Sequence, residues 1–348
     1  MRLNANVALL ITLLTGFTAA LASPPPVLGT ATDDAGKPLP FGRPAYQTPT
    51  TPMGSGRFKA IMAEDQSLPD HTLYFPANIA AAGKLPVIVW GNGACINAGN
   101  RFRILLTEFA SHGFLVIAGG PIDNPKYEVG PQENPIVPAP GTAPTPLPPA
   151  PTSAAQPAPG DAAGRNTAAQ MIAALDWASR ANEDPSSKFY HRLDPSEMAA
   201  AGQSCGGSLA TSVSADPRIK TSILFSGVGR GPRPSTEVAS DASNPMLDAI
   251  HAPILLLSGD AQRDIAYRGI SDAATYLTKV PIFHAWQEGL THIGTYGMPN
   301  GGELGRLGWQ WFAWQLRGDQ AAGKTFKGSD CGLCTEGDGW HVDKTSID

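Results

Sequence analysis

The sharpest local signal in the chain is the stretch Met198-Ala-Ala-Ala-Gly202-Gln-Ser204-Cys-Gly206-Gly207. It follows the pattern Gly-x-Ser-x-Gly, with a short apolar segment before it and a run of small residues after it. A serine in this context lies on a sharp turn between a strand and a helix, and the small residues let the two elements pass closely. The stretch therefore predicts a strand, a turn that carries Ser204, and a helix that begins beside it.

Strand and helix patterns alternate on both sides of this stretch, which is typical of βαβ units and a mainly parallel central sheet flanked by helices. The predicted strands are Arg57–Met62, Thr72–Phe75, Leu85–Trp90, Phe114–Ala118, Met198–Gly202, Ser222–Phe225, Ile254–Leu257 and Pro281–Trp286. The predicted helices are Ala98–Ser111, Thr167–Ala181, Gly206–Ala215, Ser271–Thr278 and Gly302–Arg317. The short turn between the first two strands indicates an antiparallel start to the sheet.

Three segments differ in composition from this alternating part. Residues 1–22 combine an early Arg, an apolar run and a final Ala-Leu-Ala, the pattern of a secretory signal peptide. Residues 23–52 are rich in Pro and Thr and predict an extended arm. Residues 131–162 hold 11 of the 33 prolines and predict a Pro/Ala-rich insertion loop, because proline disrupts central strands and helices. We expect residues 53–348 to form a single domain that carries this insertion.

Composition and charge exclude several classes of protein. The 38 glycines show no three-residue period, which excludes a collagen, and the net charge of −5 with 42% hydrophobic residues argues against a disordered chain. No Lys/Arg cluster forms a phosphate-binding face, so we expect no nucleic-acid partner. No segment reaches the roughly 20 apolar residues that span a bilayer. We therefore expect no stable membrane insertion. Together with the signal-peptide pattern, this predicts a secreted protein, extracellular or periplasmic, which we expect to be a monomer.

The four cysteines are expected to form disulfides, because secretion places them in an oxidising compartment. Cys331 and Cys334 are close enough in sequence to pair with each other, which would leave Cys95 to pair with Cys205. A redox motif is disfavoured because this Cys-x-x-Cys lies in a Gly-rich tail rather than at a helix that follows a strand. A zinc site would need two further ligands, so we expect no metal.

Ser204 at such a turn is a candidate nucleophile, which needs a histidine as base and an acid that orients it, in the chain order Ser, acid, His. His292 lies in a Gly-flanked loop after the strand Pro281–Trp286, at the edge of a parallel sheet where catalytic groups gather. His284 lies inside that strand, where a buried histidine usually has a structural role. His292 is therefore the predicted base, with His284 as the alternative.

The acid is expected just after the preceding strand, where the chain reads Leu257-Ser-Gly-Asp260-Ala-Gln-Arg-Asp264. One carboxylate suffices to hold the histidine tautomer and to stabilise the imidazolium. Spacing alone favours Asp260 and Asp264 equally. The other carboxylate would cap the loop or pair with Arg263.

The backbone N–H groups for an oxyanion hole are expected at two places. One is the N–H of Cys205, directly after the candidate nucleophile. The other comes from the loop Val89-Trp-Gly-Asn92-Gly93-Ala-Cys95, with Asn92 as the first choice and Gly93 as the second. A Cys95–Cys205 disulfide would tie these two donor regions together.

Several segments resemble the secreted α/β-hydrolases of the PET hydrolase/cutinase-like and chlorophyllase-like group. They are Val87-Ile-Val-Trp-Gly-Asn-Gly-Ala-Cys95, Gly202-Gln-Ser-Cys-Gly-Gly207, Asp264-Ile-Ala-Tyr267, Thr291-His-Ile-Gly-Thr-Tyr296 and the tail Asp330-Cys-Gly-Leu-Cys334. The resemblance spans roughly residues 55–345 and implies an α/β-hydrolase fold. It also implies Asp264 as the acid, since an Asp-Ile-Ala pattern follows the matching strand in that group. The chain departs from the group at Cys205 and in its Pro-rich insertion.

These features predict a secreted serine hydrolase that cleaves carboxylic esters, of a cutin-like polyester or a lipid, through an acyl-enzyme intermediate. Ser204, His292 and Asp264 would carry the reaction, which needs no cofactor. Aromatic residues near the motifs could line the substrate pocket; they are Trp90, Tyr267, Trp286 and Tyr296. The alternatives are a serine peptidase of the same fold, of acyl- or dipeptidyl-peptidase type, and a non-catalytic secreted binding protein.

Overall fold

The computed structural model describes residues 52–122, 164–229 and 244–347. The strands are β1 (Ala60–Ala63), β2 (His71–Pro76), β3 (Leu85–Gly91), β4 (Leu115–Gly119), β5 (Leu193–Gln203), β6 (Ile219–Phe225), β7 (Ile254–Gly259), β8 (Ile282–Gln287) and β9 (Trp340–Thr345). The helices are α1 (Ile79–Ala82), α2 (Arg103–Ser111), α3 (Ala168–Glu183), α4 (Cys205–Val213), α5 (Pro245–Asp248), α6 (Tyr267–Tyr276), α7 (Gly302–Arg317), α8 (Gln320–Gly323) and α9 (Gly332–Thr335). The predicted signal peptide, almost all of the arm and the insertion lie outside the described residues.

All nine described strands join one sheet, in the order β1-β2-β4-β3-β5-β6-β7-β8-β9. The six strands from β4 to β8 in this order are parallel to one another. The strands β1, β2 and β9 run antiparallel to their neighbours at the two ends of the sheet. The predicted α/β class, the mainly parallel sheet and the antiparallel start are therefore confirmed.

The central strands are apolar without interruption because both faces of the sheet are covered by helices. Along β3, Val87 and Val89 belong to the core that α3, α4 and α6 cover on one face. Ile88 and Trp90 alternate with them and belong to the core beneath α2 and α7 on the other face. The carboxyl ends of the parallel strands therefore meet at one edge, between two packed layers.

The structure corrects several predicted boundaries. The helix predicted from Ala98 begins only at Arg103, because residues 98–103 form two turns, in which Arg101 N–H donates to the Ala98 carbonyl and Arg103 N–H donates to the Asn100 carbonyl. Strand β5 begins at Leu193 rather than Met198, and α6 begins at Tyr267 rather than Ser271. Strand β9 was not predicted; its polar sequence is compatible with a sheet edge, where only one side is paired.

The first turn of α4 lies directly on the ends of β3 and β5. A Cβ added to Gly206 would lie 1.9 Å from the carbonyl oxygen of Gly91, and one added to Gly202 would lie 2.3 Å from the carbonyl oxygen of Gly206. No side chain fits in these gaps, since the atoms on both sides belong to backbone. This close approach sets where α4 starts and thereby where Ser204 lies.

We expect Gly206→Ala to lower the free energy of unfolding by about 1–3 kcal/mol, because the facing backbone cannot yield without strain. Urea denaturation measures the change. Gly164→Ala is the matched control, because an added Cβ there meets nothing within 4 Å. Equal stabilities of the two variants would contradict the prediction and would show that α4 can move away from β3.

Candidate active site

Ser204 lies on the turn between β5 and α4, at the carboxyl edge of the sheet. Its backbone dihedral angles are φ 55° and ψ −119°, a conformation that residues other than glycine rarely adopt. The turn leaves the Ser204 side chain partly accessible beside the N-terminus of α4. Strained backbone of this kind occurs at functional sites because the surrounding packing can enforce it.

His292 reaches this serine from the loop after β8. Its Nε2 lies 2.8 Å from the Ser204 Oγ, and its Nδ1 lies 2.8 Å from the Asp264 Oδ1. An ionised carboxylate can only accept hydrogen bonds, so Nδ1 carries the ring proton and Nε2 accepts from the serine hydroxyl. The predicted trio therefore forms one continuous hydrogen-bonded chain. His284, the alternative, is buried within β8, and its Nδ1 lies 3.8 Å from Asp343.

The Asp264 carboxylate is buried, and each of its two oxygens accepts two hydrogen bonds. Its Oδ1 also accepts from the N–H of Ala266 at 2.8 Å, and its Oδ2 accepts from the Ser226 hydroxyl at 2.6 Å and from the N–H of Gly259 at 2.9 Å. Burial by itself raises the pKa of Asp264. The hydrogen bonds and the charge interaction with His292 outweigh it, so that the pKa lies below the ordinary value of 3.8. The carboxylate is thus held ionised and in a fixed orientation.

Asp260, which spacing in the sequence favours as much as Asp264, instead joins the loop after β7 to the loop after β8. Its carboxylate accepts from the N–H groups of Gln262 and Arg263, from the Arg263 guanidinium at 2.8 Å, and from the N–H of Gly289 at 2.7 Å. Burial raises the pKa of Asp260, but these donors lower it below its usual value. Since Gly289 begins the loop that carries His292, Asp260 ties the acid loop to the histidine loop.

The structure argues against Asn92 as an oxyanion donor. Its N–H already donates to the Asn166 Oδ1 at 3.1 Å, and its buried amide donates to the carbonyls of Ile96, Ala98 and Gly119. Asn92 therefore has a structural role: its hydrogen bonds fix the conformation of the loop after β3. By contrast, the N–H groups of Gly93 and Cys205 donate to no acceptor within the described residues. The second choice from the sequence, Gly93, is therefore the better candidate.

Two disulfides are formed, Cys95–Cys205 and Cys331–Cys334, in the predicted pairing. The first connects the loop after β3 to the first residue of α4, with a Cα–Cα distance of 5.3 Å. It therefore joins the two regions that present the Gly93 and Cys205 N–H groups.

The aromatic residues predicted to line a pocket fall into two groups. Trp90 and Tyr296 are 0% and 1% exposed, so the structure argues against their predicted contact with substrate. Both pack against Phe102 and Phe225 because their positions face the core beneath α2 and α7. Tyr267 is half-buried and meets the half-buried Trp286 edge to face, with ring centroids 5.7 Å apart.

Sequence reasoning missed three side chains that hold the site. Gln203 donates to the His292 carbonyl at 2.9 Å, and Ser226 binds Asp264. Asn166 accepts from Asn92, and its own N–H donates to the Cys95 carbonyl at 2.7 Å. Gln203 is the last residue of β5 and Ser226 directly follows β6, and these positions could have identified them. Asn166 has no such signal, because it is brought in from after the insertion.

This arrangement can activate a hydroxyl nucleophile, since Ser204 has a base within hydrogen-bond reach and that base has an orienting carboxylate.

Within the described residues, no group of His, Cys, Asp and Glu side chains is placed to hold a metal ion. Over the same residues, no helix combines the length and the apolar character required to cross a membrane. No protein-family model matches this chain, and no curated protein shows significant similarity to it.

We expect loss of the Cys95–Cys205 bridge, in Cys95→Ala/Cys205→Ala, to destabilise the fold more than loss of Cys331–Cys334. The first bridge spans 110 residues and the second spans 3. Loop-closure entropy alone makes the difference in unfolding free energy about 3 kcal/mol. Urea denaturation of the two double variants tests this, and equal losses would contradict it.

Proposed function

We propose that this protein is a secreted serine hydrolase that cleaves carboxylic esters. The observation that carries the proposal is the chain of two 2.8 Å hydrogen bonds from Ser204 through His292 to Asp264, at the carboxyl edge of a parallel sheet. The order of these residues along the chain is Ser, acid, His, which is the order found in α/β-hydrolases. We therefore also propose an α/β-hydrolase fold for this sheet and its helices.

In this proposal, Ser204 Oγ attacks the ester carbonyl while His292 Nε2 takes its proton. The same nitrogen then donates that proton to the leaving alcohol, and an acyl-enzyme remains on Ser204. Asp264 orients the ring and stabilises the imidazolium. The N–H groups of Cys205 and Gly93 would bind the developing oxyanion, each contributing roughly 3–4 kcal/mol to transition-state stabilisation. Water then attacks the carbonyl of the acyl-enzyme while His292 Nε2 takes its proton. His292 returns that proton to Ser204 Oγ, and the carboxylic acid is released.

Secretion has separate support. Stable disulfides form in oxidising compartments, and all four cysteines of this chain are paired in disulfides. The signal peptide predicted over residues 1–22 lies outside the described residues and remains a prediction.

We expect Ser204→Ala to abolish both labelling by a fluorophosphonate and hydrolysis of para-nitrophenyl butyrate, because the nucleophile is removed. Ser212→Ala is the matched control, since Ser212 is an exposed serine on the same helix. It should be labelled stoichiometrically and keep full activity. Undiminished esterase activity in Ser204→Ala would overturn the mechanism, and absence of labelling in the wild type would favour a binding protein. Cleavage of aminoacyl anilides in preference to the ester would favour a peptidase.

Asp264→Asn and Asp260→Asn should separate the roles of the two carboxylates. The first substitution removes the acceptor that sets the His292 tautomer, and we expect kcat to fall by about 10⁴-fold. The second weakens the hydrogen bond from the Gly289 N–H to residue 260, so we expect a loss of stability with a much smaller change in kcat. Steady-state kinetics and thermal denaturation on both variants measure this. A larger loss of kcat in Asp260→Asn would contradict the assignment.

A further inference from the structure

Arg165 lies beside the candidate nucleophile although it is far from it in sequence. Its backbone forms a β-bridge with Ile96, and the neighbouring N–H of Asn166 donates to the Cys95 carbonyl. This pairing fixes residues 164–166 along the loop that carries Gly93. The Arg165 guanidinium then lies 3.9 Å from the Sγ of Cys205, the residue that follows Ser204. Ser204, Cys205 and Arg165 are all partly accessible.

The surroundings of Arg165 differ from those of three other half-buried arginines. Arg218, Arg263 and Arg306 each bind one or two carboxylates at 2.6–2.8 Å. Within the described residues, the Arg165 guanidinium has no carboxylate partner, and its recorded polar contact is the disulfide sulfur. Sulfur is a weak acceptor, whereas a guanidinium presents five N–H donors. Among the residues that the structure describes, the donors of Arg165 therefore have few acceptors, and they lie beside the serine.

We propose that Arg165 determines specificity by binding a carboxylate of the substrate, so that the preferred esters carry a negative charge near the scissile carbonyl. This inference rests on the proposed esterase function. A substrate carbonyl held by the Cys205 N–H would place its neighbouring groups next to the Cys205 side chain, where Arg165 lies. A guanidinium binds a carboxylate through two parallel hydrogen bonds, which fixes orientation as well as charge.

The carboxylate could belong to the acyl part or to the alcohol part of the ester, and two test substrates distinguish these sources. The mono-para-nitrophenyl ester of glutaric acid carries the charge on the acyl chain. The butyrate of a carboxylated nitrophenol carries it on the leaving group. Neutral para-nitrophenyl butyrate is the reference, and the quantity measured is kcat/KM for each charged ester divided by kcat/KM for the neutral one.

We expect this ratio to fall roughly tenfold in Arg165→Gln for at least one charged ester, the size expected for loss of a hydrogen bond to a charged group. Arg165→Lys should retain part of the ratio, because the charge remains but the fork geometry is lost. Arg192→Gln is the control: it removes the same charge from an exposed position just before β5, at the opposite edge of the sheet. Its ratio should equal that of the wild type.

An unchanged ratio in Arg165→Gln with both charged esters would overturn this proposal alone. Failure of the wild type to hydrolyse any of the esters would overturn the esterase function together with it. Ionic strength provides a measurement that needs no variant. Added salt should lower the wild-type ratio, because it screens the attraction between Arg165 and the carboxylate at a partly exposed site. A ratio independent of salt would count against the proposal.

Discussion

The contact between the backbones of Gly91, Gly202 and Gly206 is the constraint on which the site depends. It brings the first turn of α4 onto the ends of two parallel strands, closer than any side chain allows. The chain can make this turn only if Ser204 takes a positive φ, a conformation that costs on the order of 1–3 kcal/mol. Burial of the apolar face of α4 offsets that cost, since residues such as Ala210 belong to the core that α3, α4 and α6 cover. The strained turn places the serine beside the free N–H groups of a helix start.

Around this turn, buried polar side chains decide where the loops lie. Asn92 shapes the loop after β3, Asp260 binds the acid loop to the histidine loop, and Gln203 holds the His292 carbonyl. Leaving such a group unsatisfied costs about 1–3 kcal/mol, so each loop has few alternative positions. Asp264 is likewise a buried polar group held by hydrogen bonds. Because its pKa is lowered in the folded state, its contribution to stability is fully present above its ordinary pKa of 3.8 and is lost as the pH falls from there through the lowered pKa.

Much of the fold could be predicted because it depends on local patterns. Continuous apolar runs predicted the central strands, and the alternation with helices predicted a mainly parallel sheet. The helix Gly302–Arg317 was predicted with its observed bounds, since a long periodic segment carries its own signal. The start of α2 and the edge strand β9 could not be predicted in this way. The start of α2 depends on the two turns that precede it, which have no helical or strand periodicity of their own. Strand β9 depends on its pairing with β8.

Local patterns were enough to place Ser204 on a strand-to-helix turn and His292 after a strand at the same edge of the sheet. Spacing left Asp260 and Asp264 equal, since both follow one strand and lie one turn apart, and the resemblance to a hydrolase family favoured Asp264. The contact itself exists only in the folded structure, because His292 lies in a loop 28 residues further on and binds Asp264 at 2.8 Å. The same holds for the hydrogen bonds of Asn92 to Gly119 and Asn166 and for the position of Arg165. Each depends on segments that are remote in sequence and are joined only when the sheet brings its carboxyl ends together.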